Sequence, residues 1–257
     1  MSLLCCVESV EILRWSRREF SEVEDVVVVE VPVEIYLNGK FLARLQALPS
    51  DLTELGVGYV VSGGFSAPEG VRAWRSRGAR VEVQAQVRHA PGSQSTTASS
   101  RGAASAADPE GVGPFDPSEG PILFPEAVER VSQIITRGTE LHRGTGATHV
   151  AGAFNSLGDP LFVYEDVGRH NAVDKVVGRA VMTRTPIGDL VLAVSGRLTL
   201  EMTLKALRSG VRVLVSKSAP TLAAVEVARR FNLTLIGFAR GKRFNVYSAP
   251  ERLTPSP

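Results

Sequence analysis

The stretch DLVLAVSGRLTLEMTLKALRSGVRVLVSKS (residues 189–218) decides the fold. DLVLAVSG is a short, unbroken apolar run, the pattern of a strand buried on both faces. LTLEMTLKALRSG changes period. It reads as a helix that stops at Gly210, since glycine accepts the left-handed backbone of a helix end. VRVLVSKS is a second buried strand. A strand, a helix and a strand in this order form a crossover unit, which lays parallel strands beneath a covering helix.

The same rhythm continues outward. Downstream, Ala224, Val227, Ala228 and Phe231 recur at helical spacing after Pro220, and LTLIGFAR and RFNVYS close the sheet. Upstream, Pro125 suits a first helical position, followed by Val128, Val131 and Ile135 up to Gly138. HVAGAF and PLFVYED are short apolar runs joined by NSLGD, a hairpin. From His170 onward, Ala172, Val173, Val176, Val177 and Ala180 form one helical stripe. The predicted order is α-β-β-α-β-α-β-α-β-β, an α/β sheet, largely parallel and covered by helices.

The first part of the chain differs. VVVVEVPVEIYL (26–37) meets FLARLQAL across Asn38-Gly39, a hairpin signal. A helix starts at Asp51, with Leu52, Leu55 and Tyr59 on one face, and ends at Gly63-Gly64. ARVEVQAQVR (79–88) alternates as a strand. This is a smaller α+β unit. The expected division is an N-terminal domain over residues 1–120, including a loop at 91–121, and a second domain over 121–257.

The composition is that of a soluble globular protein, 44% apolar and 22% charged. A net charge of +2 gives no argument for nucleic acid. No run reaches the ~18 apolar residues of a membrane helix, and the N-terminus is a poor signal peptide, so the reading is cytoplasmic. The two cysteines, Cys5 and Cys6, are adjacent, which excludes a disulfide framework. No metal-ligand cluster is read: His142, His149 and His170 have no cysteine partners nearby.

In open α/β sheets, ligands collect at the carboxyl ends of strands. Four such ends carry polar or basic sequence: YEDVGRHN (164–171), SGR (195–197), SKSAPT (216–221) and GFARGKR (237–243). Singly, each has a bland reading. Gly196 makes a turn, Ser218 or Thr221 caps a helix, and Asp166 is a solvated charge. Together they favour an anion-binding crevice, with Arg169, Arg197, Lys217, Arg240, Lys242 and Arg243 supplying charge-assisted contacts to phosphates. GFARGK falls one residue short of a phosphate-binding P-loop. A hydrolase relay drawn from Ser195, His170 and Asp166 is the weaker alternative.

Several long motifs carry a family resemblance: PVEIYLNG, LPSDLTELGVGYVVSGG, TGATHVAGAF (145–154), EDVGRHNAVDKVVG (165–178), SGR followed by E-M-x-x-K (195–205), SAPT (218–221) and GFARGKRFNVY (237–247). In this order they resemble the formate dehydrogenase accessory protein family, FdhD. The resemblance implies a cytidine-deaminase-like larger domain and a homodimer. It implies a role in maturing formate dehydrogenase, with its catalytic subunit as a partner. It also implies binding of the molybdenum- or tungsten-bis(molybdopterin guanine dinucleotide) cofactor, for which GDP is a mimic, and transfer of sulfur to it from a cysteine desulfurase. The family's guanine-dinucleotide segment matches Phe238, Ala239, Arg240, Gly241, Lys242 and Arg243. Asp166, Arg169, His170, Asn171, Ser195, Gly196, Arg197, Ser218 and Thr221 complete the expected cofactor site.

The family carries sulfur on a loop of the form S-S-C-G-x-C-G. Here SSRGAAS (99–105) stands there, with Arg101 and Ala104 at the two cysteine positions. A persulfide needs a thiolate, which neither residue supplies. Ala47 likewise replaces the cysteine beside the motif's proline. The expectation is a cofactor-binding protein, or cofactor chaperone. Sulfur transfer through Cys5 or Cys6 and a nucleotide-acting hydrolase or transferase are the alternatives.

Overall fold

The computed structural model describes residues 5–88, 109 and 111–255. Twelve strands fall in three sheets among these residues. An N-terminal hairpin pairs β1 (Val7–Ser16) with β2 (Glu19–Val28). A four-stranded sheet has the order β4-β3-β6-β5, from β3 (Val31–Leu37), β4 (Lys40–Ala47), β5 (Val71–Arg77) and β6 (Arg80–Ala85). Helix α1 (Leu52–Ser62) lies between β4 and β5.

The large sheet has six strands in the order β12-β11-β10-β9-β7-β8. They are β7 (His149–Phe154), β8 (Pro160–Asp166), β9 (Val191–Val194), β10 (Val213–Ser216), β11 (Thr234–Arg240) and β12 (Arg243–Ser248). Its helices are α2 (Pro125–Arg137), α3 (Glu140–Thr145), α4 (Arg169–Met182), α5 (Leu200–Ser209) and α6 (Leu222–Arg230). The α/β architecture with a smaller N-terminal α+β unit is the expected one. The pairing is less parallel than expected: β9, β10 and β11 pair parallel, while β7–β8, β7–β9 and β11–β12 are antiparallel. The reason is connectivity. NSLGD and the turn at Gly241 are too short for crossovers, so they reverse the chain. Helix α4 then carries the chain from β8 over β7 to β9, leaving β7 between two strands of opposite direction.

Helix α2 covers one face of this sheet, packing Val128, Val131 and Ile135 on Val150, Val191, Val213 and Ile236. Helices α4, α5 and α6 cover the other, against Ala151, Leu192, Leu214 and Leu235. Helix α1 is apolar on both sides because it is shared. Val61 joins the large core, and Leu55, Val57 and Val60 join the core of the small sheet. Near the C-terminus the fully buried Arg252 donates to the backbone carbonyls of Asp116 (2.8 Å), Glu119 (2.6 Å) and Asn232 (2.8 Å). A buried guanidinium is tolerated because its donors are satisfied.

Candidate functional site

Strands β8, β9, β10 and β11 run in one direction, so their polar ends emerge on one edge of the sheet. His149 opens β7 on the same edge, opposite Asp166. The turns there are tied to each other. Ser216 Oγ donates to the Gly196 carbonyl at 2.7 Å and accepts from Ser218 N at 2.9 Å. Phe238 N donates to the Ser218 carbonyl at 3.0 Å, and Arg240 Nε to the Lys217 carbonyl at 2.9 Å. Phe238 holds a left-handed backbone, φ 51°, unusual for an aromatic residue and a form of strain that collects at functional sites. At Gly196 a Cβ would lie 3.2 Å from Arg169 Cδ, so the arginine is laid over that turn. The structure thus assembles the basic turns that the sequence placed at successive strand ends.

The electrostatics of this edge are positive. His170 is pushed down to about 3, first by burial and then by Lys205 and Arg169. His149 is lowered by burial, then by Arg169, His142 and Lys217. Both imidazoles are neutral at pH 7, so each offers one donor and one acceptor. The buried Nε of Arg169 and Nε2 of His170 have no hydrogen-bond partner, an orphaning that a bound polar group would relieve. Glu201 Oε2 lies 3.5 Å from that imidazole nitrogen, too far for a good bond. Arg197, Arg240, Gly241, Lys242 and Arg243 are exposed. Exposed cations, lowered imidazoles and buried nitrogens without partners thus share one edge.

Other expected site residues turn inward. Asp166 is fully buried and its carboxylate is saturated. It receives Lys175 Nζ at 2.7 Å, Asn171 Nδ2 at 2.9 Å, Gly168 N at 3.0 Å and Leu48 N at 3.3 Å. Asn171 also donates to the Gln46 carbonyl at 2.8 Å. These bonds fasten the small sheet to the β8–α4 turn. Asp166 is therefore no solvated charge. Thr221 caps α6, accepting from Ala224 N, and Ala239 is buried. The relay of Ser195, His170 and Asp166 is not assembled: Ser195 Oγ accepts from Val150 N at 3.0 Å and meets His149 Nδ1 at 3.5 Å. Arg101 and Ala104 lie outside the described residues. Cys6 is buried against Leu48, Leu141 and Val167, and burial, then the neighbouring Cys5, pushes its thiol up to about 11.

A cavity of about 540 Å³ lies beside this edge, between β4, α1 and α5. Leu42, Phe65 and Leu204 give it apolar walls, and His170 and Asn171 reach it from α4. On its floor Lys205 Nζ bonds both Asp174 oxygens, at 2.7 and 2.9 Å, and Ser62 Oγ at 2.9 Å. Burial raises the Asp174 carboxyl although Lys205 opposes the shift. The sequence reading missed Lys205 and Asp174 as site residues. The available signal was a charged Asp174-Lys175 pair inside an otherwise apolar helical stripe.

A sequence profile of the FdhD/NarQ family matches residues 28–254. The chain belongs to the FdhD/NarQ family. Among its relatives, Protein FdhD of Methanocaldococcus jannaschii is 32% identical over 245 residues, 95% of this chain and 97% of the relative. Sulfur carrier protein FdhD of Streptomyces avermitilis is 36% identical over 251 residues, 89% of each chain. A crystal structure described as a formate dehydrogenase accessory protein from Desulfotalea psychrophila superposes with a TM-score of 0.83 at 27% identity, covering 97% of this chain and all of that one. Residues 28–254 take in the four-stranded and the six-stranded sheet, so the FdhD/NarQ likeness is not confined to the larger one. Among the described residues, no helix is long and apolar enough to cross a membrane.

Proposed function

We propose that this FdhD/NarQ protein serves formate dehydrogenase maturation by binding the bis(molybdopterin guanine dinucleotide) form of the molybdenum or tungsten cofactor as cargo. The observation that carries this reading is the convergence of Arg169, Arg197, Lys217 and Arg240 on one sheet edge, where the buried Arg169 Nε and the neighbouring His170 Nε2 have no partner. Phosphates are suited to guanidiniums, which bind them in a forked geometry. Phe238 to Arg243 would hold a guanine nucleotide, and Arg169 and His170 would face its polar groups. The cofactor's two nucleotide halves suit a two-fold pair of chains. The formate dehydrogenase catalytic subunit is the partner that would receive the cargo.

Titration with GDP tests the reading. Arg240→Ala should weaken binding by about 1.5–3 kcal/mol, the range for a hydrogen bond to a charged group. An unchanged affinity removes Arg240 from the site, and no GDP binding at all removes the reading.

One observation favours a second activity. Cys6 packs on Val167, in the β8–α4 turn that leads to Arg169 and His170. The chain's two thiols therefore stand near the proposed cargo site, where Cys5 would accept sulfur from a cysteine desulfurase in place of residues 101 and 104. The raised Cys6 thiol is a poor nucleophile at neutral pH, which leaves the exposed Cys5 as the acceptor.

A further inference from the structure

A second cavity, of about 900 Å³, opens at the opposite end of the six-stranded sheet. Its lining includes the residues leading into β9 and β10, the C-terminal turns of α4 and α5, and β5 of the small sheet. Nothing in the proposed cargo site uses it. Ligand sites span about 300–1,000 Å³, so it is large enough for a whole small molecule.

Five arginines line it: Arg72, Arg88, Arg184, Arg208 and Arg212. Among the described residues, two of them meet carboxylates. Glu119 pairs with Arg212 at 2.5 Å, and the largely exposed Glu69 stands 3.9 Å from Arg88. Among the described residues, Arg72 and Arg184 have no carboxylate within ion-pair distance. Helix dipoles explain part of the arrangement, because Arg184 follows α4 and Arg208 ends α5. They do not explain Arg72, Arg88 and Arg212, which belong to strands or their approaches.

The cavity also presents flat apolar surface. Trp74 of β5 lines the space together with Arg72 and is 36% exposed. Phe115 lines the space too, with the Arg212 guanidinium 5.5 Å from its ring centre. Arg212 is held in place: Glu119 anchors its head, and at Gly188 a Cβ would lie only 1.8 Å from its Nη1. Its buried Nε has no hydrogen-bond partner.

We propose that this cavity is a second binding site, for a phosphorylated ligand that carries a planar ring, of the nucleotide class. The Arg72 and Arg184 guanidiniums would hold the phosphates and Trp74 would stack on the ring. A simple carboxylic acid would answer the charge of only one of Arg72 and Arg184. A bare phosphate would leave the aromatic wall unused. The site is independent of the cargo reading, since the two lie at opposite ends of the sheet.

The chain has two tryptophans, so Trp15→Phe leaves Trp74 as the sole emitter. This protein is titrated with GDP while its fluorescence is followed. The expected result is saturable quenching that persists in Arg240→Ala and weakens at least tenfold in Arg72→Gln/Arg184→Asn. Asparagine suits the left-handed backbone at position 184, φ 55°. Pyrophosphate should displace GDP without quenching. The proposal is overturned by the absence of saturable quenching up to millimolar GDP. It is equally overturned by quenching that Arg240→Ala abolishes and the double variant retains, or by failure of pyrophosphate to compete.

Discussion

Gly58 of α1 and Gly178 of α4 meet backbone to backbone. A Cβ on Gly58 would lie 1.7 Å from the Asp174 carbonyl oxygen, and one on Gly178 would lie 1.9 Å from that of Glu54. Neither contact can be relieved by turning a side chain, so the helices would have to separate. This crossing joins the two cores, because α1 belongs to both. Gly58→Ala and Gly178→Ala should each destabilise the protein by about 1–3 kcal/mol or more, as overpacking does. Gly144→Ala, with open space around it, should be nearly neutral. Urea unfolding of the three variants checks this, and equal midpoints would refute it.

The buried Asp166–Lys175 pair joins the β8–α4 turn to the small sheet. Removing one partner leaves the other charged and dry. Lys175→Met should cost about 3–5 kcal/mol, the usual penalty for breaking such a pair. Lys175→Met with Asp166→Asn should recover part of that loss. A double variant no more stable than the single one would mean that the hydrogen bonds of Asp166, rather than its charge, dominate.

Stability should fall as the solution is acidified through the ordinary histidine range. The folded protein holds His170 at about 3 against an ordinary 6.5. Between these values the unfolded chain binds a proton that the folded chain refuses. The contribution is complete above 6.5 and is lost on the way down to 3. Its slope is about 1.4 kcal/mol per pH unit for one proton. His149 is shifted the same way and adds to it. Unfolding free energies measured from pH 7 to 5 should drop less steeply in His170→Asn. Parallel curves for the two proteins would count against a buried neutral His170.

Sulfur relay through the terminal thiols has a direct readout. Incubation with a cysteine desulfurase and cysteine, followed by intact mass measurement, should show one added sulfur that Cys5→Ser removes. No added mass, beside a family member that gains it, would leave the protein a cofactor carrier without its own persulfide.

Much of the fold was readable in the sequence because its local signals were chemically strict. Pro125 opens α2, and Gly138 and Gly210 end helices with positive φ. The β1–β2 hairpin was missed because its turn places Arg17 and Arg18 in the left-handed region, where Asn-Gly is the usual mark. Strand β5 was missed because VRAWRSR is a largely exposed edge strand, without the alternation of a half-buried one. Helix α3 is only six residues long. At the site, the basic turns could be read from strand ends, but Lys205 meets Asp174 and Ser62 only in three dimensions. Asp166 and Asn171 looked like ligand contacts because the sequence does not show that Leu48 N and the Gln46 carbonyl stand beside them.

The buried Arg252 makes the end of the chain part of the frame around the large sheet. The chain leaves the small sheet at Arg88, whose N–H is bound to the Phe65 carbonyl, and Arg252 grips it again at Asp116 and Glu119. Carbonyls from two distant stretches of the chain thus converge on one side chain. A truncation that removes residue 252 would be felt 133 positions upstream, at Glu119, so the last turn acts as a clasp and not as a tail.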